Sequence, residues 1–177
     1  MKSALAIILL AILSLSFLAG CAAPTSSLNS AGPASITPNI SLDSIQVETI
    51  SSLPDLEHEK RILSDAIISG LNETGLFSDV GTPTTNTNSA TPAIIKADIT
   101  RIKKVSDNAR TWVGTWAGQA EIHVHITVSQ AGHQIETFEA EAKSGKSAWA
   151  GTTDEAIHLA ADQIVHEITR INSQTAQ

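Results

Sequence analysis

Between Gln119 and Ser129 apolar and polar residues alternate without interruption. Ala120, Ile122, Val124, Ile126 and Val128 share one side, and Glu121, His123, His125 and Thr127 the other. A period of two is the pattern of a β-strand with one buried face. Ala131-Gly132-His133 supplies a short turn, and Gln134–Ser144 returns as the partner strand. Setting Ile126 opposite Phe138 places Val124 on Ala140 and Ile122 on Ala142. The same register sets Glu121 against Lys143, His123 against Glu141 and His125 against Glu139. Both faces match in chemistry, and a slip of one residue would turn every apolar side chain outward. A hairpin with one greasy face needs a second layer to cover it.

The rest of the chain supplies that layer. Ile40–Ile50 reads as a strand with Ile45, Val47 and Thr49 in phase. Pro54 suits a first helical turn, with Asp55 and Glu57 near its positive end. Ile62, Leu63, Ala66, Ile67 and Leu71 recur at threes and fours, which predicts an amphipathic helix over Leu56–Thr74. Gly75 ends it, as the residue best able to adopt a left-handed conformation. Val80–Pro92 reads as a loop, and Ala93–Val105 as a strand with Ile95, Ala97 and Ile99 in phase. Thr152-x-x-Glu155 is a capping box. It opens a helix whose stripe is Ile157, Ala160, Ala161, Ile164, Val165 and Ile168, ending near Asn172. The order β-α-β-β-β-α predicts an α/β (α+β) two-layer sandwich over residues 39–172. Its mixed four-stranded sheet carries two helices on one face. If the strands around the first helix are parallel, their crossover is right-handed. Residues 173–177 form a polar tail.

Upstream, Met1-Lys2 and the apolar run that follows lead to Leu18-Ala19-Gly20-Cys21. A positive start, a short apolar core and small residues before a processing point make an export signal over residues 1–20. The run is shorter than the roughly 20 residues that span a bilayer. The four closing residues resemble the lipobox of bacterial lipoproteins. That resemblance implies cleavage between Gly20 and Cys21, diacylglyceryl transfer to the Cys21 thiol and acylation of the new amino terminus. The expected cofactor inventory is empty apart from this covalent lipid. Cys21 is the only cysteine, so no internal disulfide forms. Ala22 stands where lipoproteins held at an inner membrane often have Asp, which implies the periplasmic face of an outer membrane. Residues 21–38, rich in Ser, Pro, Ala and Thr, read as a flexible tether reaching about 20–25 Å. The formal net charge of −7 and the lack of a basic run argue against nucleic acid as a partner and against electrostatic docking to anionic lipid headgroups.

Three clusters are candidate sites. His123 and His125, facing Glu139 and Glu141, place imidazole and carboxylate donors side by side, a set that suits Zn²⁺. A solvated strand face with cross-strand charge pairs accounts for the same residues. His158, Asp162 and His166 repeat at one-turn spacing on the helix face opposite the apolar stripe, where an ordinary polar surface explains them. The third cluster is Arg110, Trp112, Trp116 and Trp149. Extending the hairpin register brings Trp116 opposite Ala148, so the indoles gather at one end of the sheet. Trp and Arg dominate binding hot spots, and this is the candidate partner patch; an aromatic cap on the core is the other reading.

Gly75-Leu-Phe-x-x-Val80, then Ala97-Asp98-Ile99, then Arg110…Gly114…Ala117-Gly118 running into an alternating strand, resembles the bacterial lipoproteins grouped as domain of unknown function 4410. The likeness covers about residues 40–172, with Ile99 where the family has an aromatic residue. The resemblance implies no catalytic residues. Gly-rich phosphate loops, nucleophile elbows and His-Glu-x-x-His are absent from the sequence. The expected function is therefore a membrane-anchored envelope lipoprotein that binds or assembles with an envelope protein and is not an enzyme. A metal or small-ligand binder using the His123/His125 face is the alternative, and a hydrolase the remaining one.

Overall fold

The central alternation becomes a hairpin in the computed structural model, which describes residues 25–30, 42–84, 91–105, 118–145 and 151–175. Strands β5 (Glu121–Gln130) and β6 (His133–Lys143) pair antiparallel in the expected register from Glu121 opposite Lys143 to Val128 opposite Glu136. The register shifts between Val128 and Ser129, so that Ser129 faces Gln134 and Ile135 is the extra residue. The turn is thereby shortened to Ala131-Gly132, and His133 opens β6. Ala131 and Gly132 both have positive φ, 52° and 78°, the conformation that matches a two-residue turn to the twist of its strands.

The remaining elements are β1 (Thr25–Ser30), β2 (Ser44–Ile50), α1 (Glu57–Thr74), β3 (Asp79–Gly81), β4 (Ala93–Lys103) and α2 (Thr153–Thr175). The sheet runs β1-β6-β5-β4-β2-β3. Its β1, β6, β5 and β4 neighbours are antiparallel, whereas β2 lies parallel to both β4 and β3. The mixed α+β class stands, but the sheet has six strands among the described residues where the sequence suggests four. Both additions are edges without a readable period. Residues 25–30 carry a single bulky apolar side chain, Leu28, and β3 is three residues long and lies partly within the expected loop. Backbone pairing with a pre-formed neighbour makes such strands, and side-chain patterning does not reveal it.

One face of the sheet is dry. Ile45, Val47, Ala93, Ile95, Ala97, Ile99, Ile122, Val124, Ile126, Val128, Phe138, Ala140 and Ala142 are all buried, as their alternation requires. Leu63, Ile67 and Leu71 of α1 and Ile157, Ala160, Ala161, Ile164 and Ile168 of α2 close over them. Each large side chain so buried contributes roughly 1.5–3 kcal/mol before conformational entropy is counted. Gly75 ends α1 at φ 66°, as expected. Pro54 does not enter the helix: Asp55 takes φ 55°, and α1 begins at Glu57 behind Leu56, which makes no side-chain cap. At α2 the Thr152 hydroxyl accepts the Glu155 N–H at 3.2 Å. The Glu155 carboxylate turns instead to the Gly145 N–H at 3.3 Å, so one half of the capping box is made. No helix of the described residues is long and apolar enough to cross a membrane.

Candidate functional site

The uncovered face of the sheet holds the densest chemistry among the described residues. Alternation alone sends Glu121, His123 and His125 outward from β5 and Glu139, Glu141 and Lys143 outward from β6. β4 adds a cation that its own pattern would misplace. Its register against β5 shifts between Ile99 and Arg101, so Arg101 rather than Thr100 stands opposite His123. A bulge of this kind re-aims a side chain without breaking the ladder for long.

His123 Nε2 lies 2.6 Å from Glu121 Oε1 and 3.8 Å from Glu141 Oε1. The Arg101 guanidinium reaches the same Glu121 oxygen at 3.1 Å. Lys143 donates to Glu141 at 2.7 Å and stands 3.9 Å from Glu121 Oε2. The hydrogen bond from His123 is the chief reason that the Glu121 carboxyl lies below its ordinary range; burial opposes it, and the charges of Lys143, His123 and Arg101 add to it. The Lys143 hydrogen bond likewise lowers Glu141 and, from its own side, raises Lys143.

The donor atoms of Glu121, His123 and Glu141 lie within 4.8 Å of one another, close enough for a common cation. His125 and Glu139 do not join them. Their own approach is 3.8 Å, and both are more exposed. Of the four residues suggested by sequence as metal ligands, the fold therefore brings His123 and Glu141 together, adds Glu121, and leaves His125 with Glu139 as a separate pair. Arg101 and Lys143 already balance the two carboxylates of the triad. A divalent ion there would compete with two resident positive charges. His158, Asp162 and His166 are exposed on the outer face of α2, as their spacing suggests.

Three further ion pairs fasten the helices at their ends. Glu59 of α1 is buried and receives Lys104 at 2.7 Å. Burial pushes its carboxyl up, but the Lys104 hydrogen bond, a backbone hydrogen bond and nearby charge together bring it below the ordinary value. Arg170 of α2 bridges buried Glu167 and, at 2.9 Å, Glu136 of β6. The Glu167 hydrogen bond raises the guanidinium further above its already high value. Glu59 with Lys104 and Arg170 with Glu136 carry no local signal in the sequence, since each pair joins residues from separate parts of the fold.

Gly20, Cys21, Arg110, Trp112, Trp116 and Trp149 lie outside the described residues. The residues bounding the two Trp-bearing segments converge at one end of the sheet. The Val105 N–H donates to Thr153 Oγ1 at 2.9 Å, and the Ala120 N–H to Ser144 Oγ at 2.9 Å. Gln119 Nε2 donates to the Ser144 carbonyl at 2.8 Å.

A family model described as Domain of unknown function (DUF4410) matches residues 29–152. No curated protein matches the chain. Among solved structures, a variant PelC dodecamer from Paraburkholderia phytofirmans is 15% identical, with 80% of this chain and 95% of that chain covered and a TM-score of 0.44. A PelC dodecamer from the same organism in another crystal form is 11% identical, covering 78% and 96% at 0.42. Protein XCC0632 from Xanthomonas campestris, assigned to DUF330, is 14% identical, covering 81% and 92% at 0.49. Likenesses this slight carry no argument about function.

Proposed function

The chain belongs to the DUF4410 family, and from that premise we propose that it is a lipid-anchored protein of the bacterial cell envelope that works by binding or assembly and not by catalysis. The observation that carries this reading is Leu18-Ala19-Gly20-Cys21 closing a short apolar run behind a lysine. Acyl chains on Cys21 hold the protein at the periplasmic face of an outer membrane, each buried CH₂ contributing about 0.8 kcal/mol of membrane affinity. The patch of Arg110, Trp112, Trp116 and Trp149 meets an envelope protein; Trp and Arg are the side chains that most often anchor such contacts. Substituting Cys21→Ser tests the anchor. The variant is expected to lose palmitate labelling and to leave the membrane pellet. Labelling equal to the parent's refutes the reading. Crosslinking from a probe at Trp112 in intact cells, read by mass spectrometry, tests the partner patch through recovery of a recurrent protein.

A second reading, a divalent-cation or small-ligand site on the strand face, is favoured by the proximity of Glu121, His123 and Glu141. Calorimetric titration of Zn²⁺ into the mature protein tests it. Binding no tighter than millimolar ends it.

A further inference from the structure

The first strand leads back toward Cys21 from one end of the sheet. Thr25 opens β1 opposite Lys143 of β6; Lys143 in turn faces Glu121 of β5, and Glu121 faces Lys103 of β4. These four residues form one row across the end of the sheet. Only Ala22, Ala23 and Pro24 separate that row from Cys21. Fully extended, four residues span at most about 13–14 Å. The segment that composition marks as a tether is therefore mostly unavailable as slack, because Thr25–Ser30 is committed to the sheet.

We propose that the end of the sheet formed by Thr25, Lys143, Glu121 and Lys103 faces the phospholipid headgroups of the bilayer that holds Cys21, with the Ala131-Gly132 turn pointing away. This rests on the anchoring reading above and adds an orientation to it. Lys103, Lys104, Lys143 and Arg101 lie at this end, where Lys104 pairs with Glu59, Lys143 with Glu141 and Glu121, and Arg101 with Glu121. A bare Cβ on Gly118 would come within 3.6 Å of the Lys103 amine, which places that cation over the end of the sheet. At the other end stand Asp79, opposite Ser44 where β2 begins, and the exposed His133 and Gln134 of β6. The occupant is the headgroup surface of that bilayer, since the chain that leads into this end finishes in the acylated residue.

The test uses the acylated full-length mature protein in vesicles of phosphatidylethanolamine and phosphatidylglycerol that carry a nickel-chelating headgroup lipid. Nitroxide labels go onto Lys103→Cys and Gln134→Cys, both exposed sites; Cys21 is blocked by its lipid. The two positions lie roughly 30 Å apart along the strands, so nickel relaxation is expected to be at least about fivefold stronger at position 103. Thr25→Cys and His133→Cys repeat the comparison if either first variant folds poorly. Equal relaxation at the two ends, or stronger relaxation at position 134, overturns the orientation while leaving the anchor standing. Palmitate content and pelleting are read on the same samples, and their loss in the parent protein overturns the anchor and the orientation together. A long Gly-Ser insertion between Pro24 and Thr25 should shrink the contrast. An undiminished contrast overturns the short tether as its cause.

Discussion

Gly70 of α1 packs directly against Val165 of α2, and it gives the sharpest test of the packing. A Cβ built on Gly70 would lie 2.8 Å from Val165 Cγ2 and 3.5 Å from its Cγ1. Two effects of Gly70→Ala then oppose each other. Replacing Gly inside a helix by Ala contributes about 1 kcal/mol of helix propensity. Forcing a methyl into a space already filled costs about 1–3 kcal/mol in shifted backbone and strained side chains. Val165 cannot simply turn away, because a β-branched residue in a helix has one strongly preferred rotamer. The clash therefore wins or draws: Gly70→Ala is expected to destabilise the protein by about 0–2 kcal/mol.

A double-mutant cycle with Val165→Ala separates the two effects. Removing both γ-methyls opens the space, so in that background Gly70→Ala should recover its propensity gain of about 1 kcal/mol. The coupling between the two sites is then about 1–3 kcal/mol. Chemical denaturation of parent, both single variants and the double variant measures it, with circular dichroism of the helices as signal. Should Gly70→Ala raise stability by the full propensity gain in the parent and show no coupling to Val165, the close crossing of α1 and α2 is refuted.

Arg170→Ala should destabilise the protein by about 1–3 kcal/mol, below the usual value for breaking a buried pair because the guanidinium is partly exposed. Arg170→Lys should restore only part of this in denaturant melts, since it lacks the fork that joins Glu167 to Glu136. The lowered carboxyls of Glu121 and Glu141 set a pH dependence. A carboxylate depressed in the folded state contributes stability above its unfolded pKa and loses it as pH falls through the folded one. Melting temperatures from about pH 6 to about pH 3 should therefore fall less steeply in His123→Ala, which loses the main hydrogen bond on Glu121, than in the parent. If the outer face is a cation site held closed by its own lysine, Lys143→Met should tighten Zn²⁺ binding by calorimetry. Unchanged, millimolar-or-weaker binding leaves the cluster as an ion-pair network.

The hairpin was legible because both of its faces carry information. Large-against-small pairs inside and plus-against-minus pairs outside agree on one register, and Glu121 opposite Lys143 through Val128 opposite Glu136 follows it. Helix stripes were legible for the same reason, period against burial. The bulge at Thr100 was not, and with it went Arg101's place beside His123, because a one-residue insertion in a polar strand end leaves the composition unchanged. Likewise Glu59 with Lys104, and Arg170 with Glu136, join elements whose relative placement no local pattern encodes. On the outer face both cross-strand pairs follow the expected register. His123 meets Glu141 and His125 meets Glu139 as paired from the sequence, while Glu121 completes the three-donor group with His123 and Glu141.

The polar first strand connects the anchor to the integrity of the sheet. Without β1, the eleven-residue β6 would present an open edge, with Phe138, Ala140 and Ala142 on its inner side. Long open edges invite pairing with other chains, and short polar strands are a common way of closing them. The opposite edge is closed by β3, only three residues long and ending in Gly81. Thr25–Ser30 thus has two duties under the proposed anchoring: it shortens the link to Cys21 and it covers β6. The two duties are coupled. Peeling β1 away would lengthen the link by the six residues of the strand and at the same moment uncover a ladder of backbone donors and acceptors, so a partner that adds a strand to β6 would also free the domain to move off the membrane.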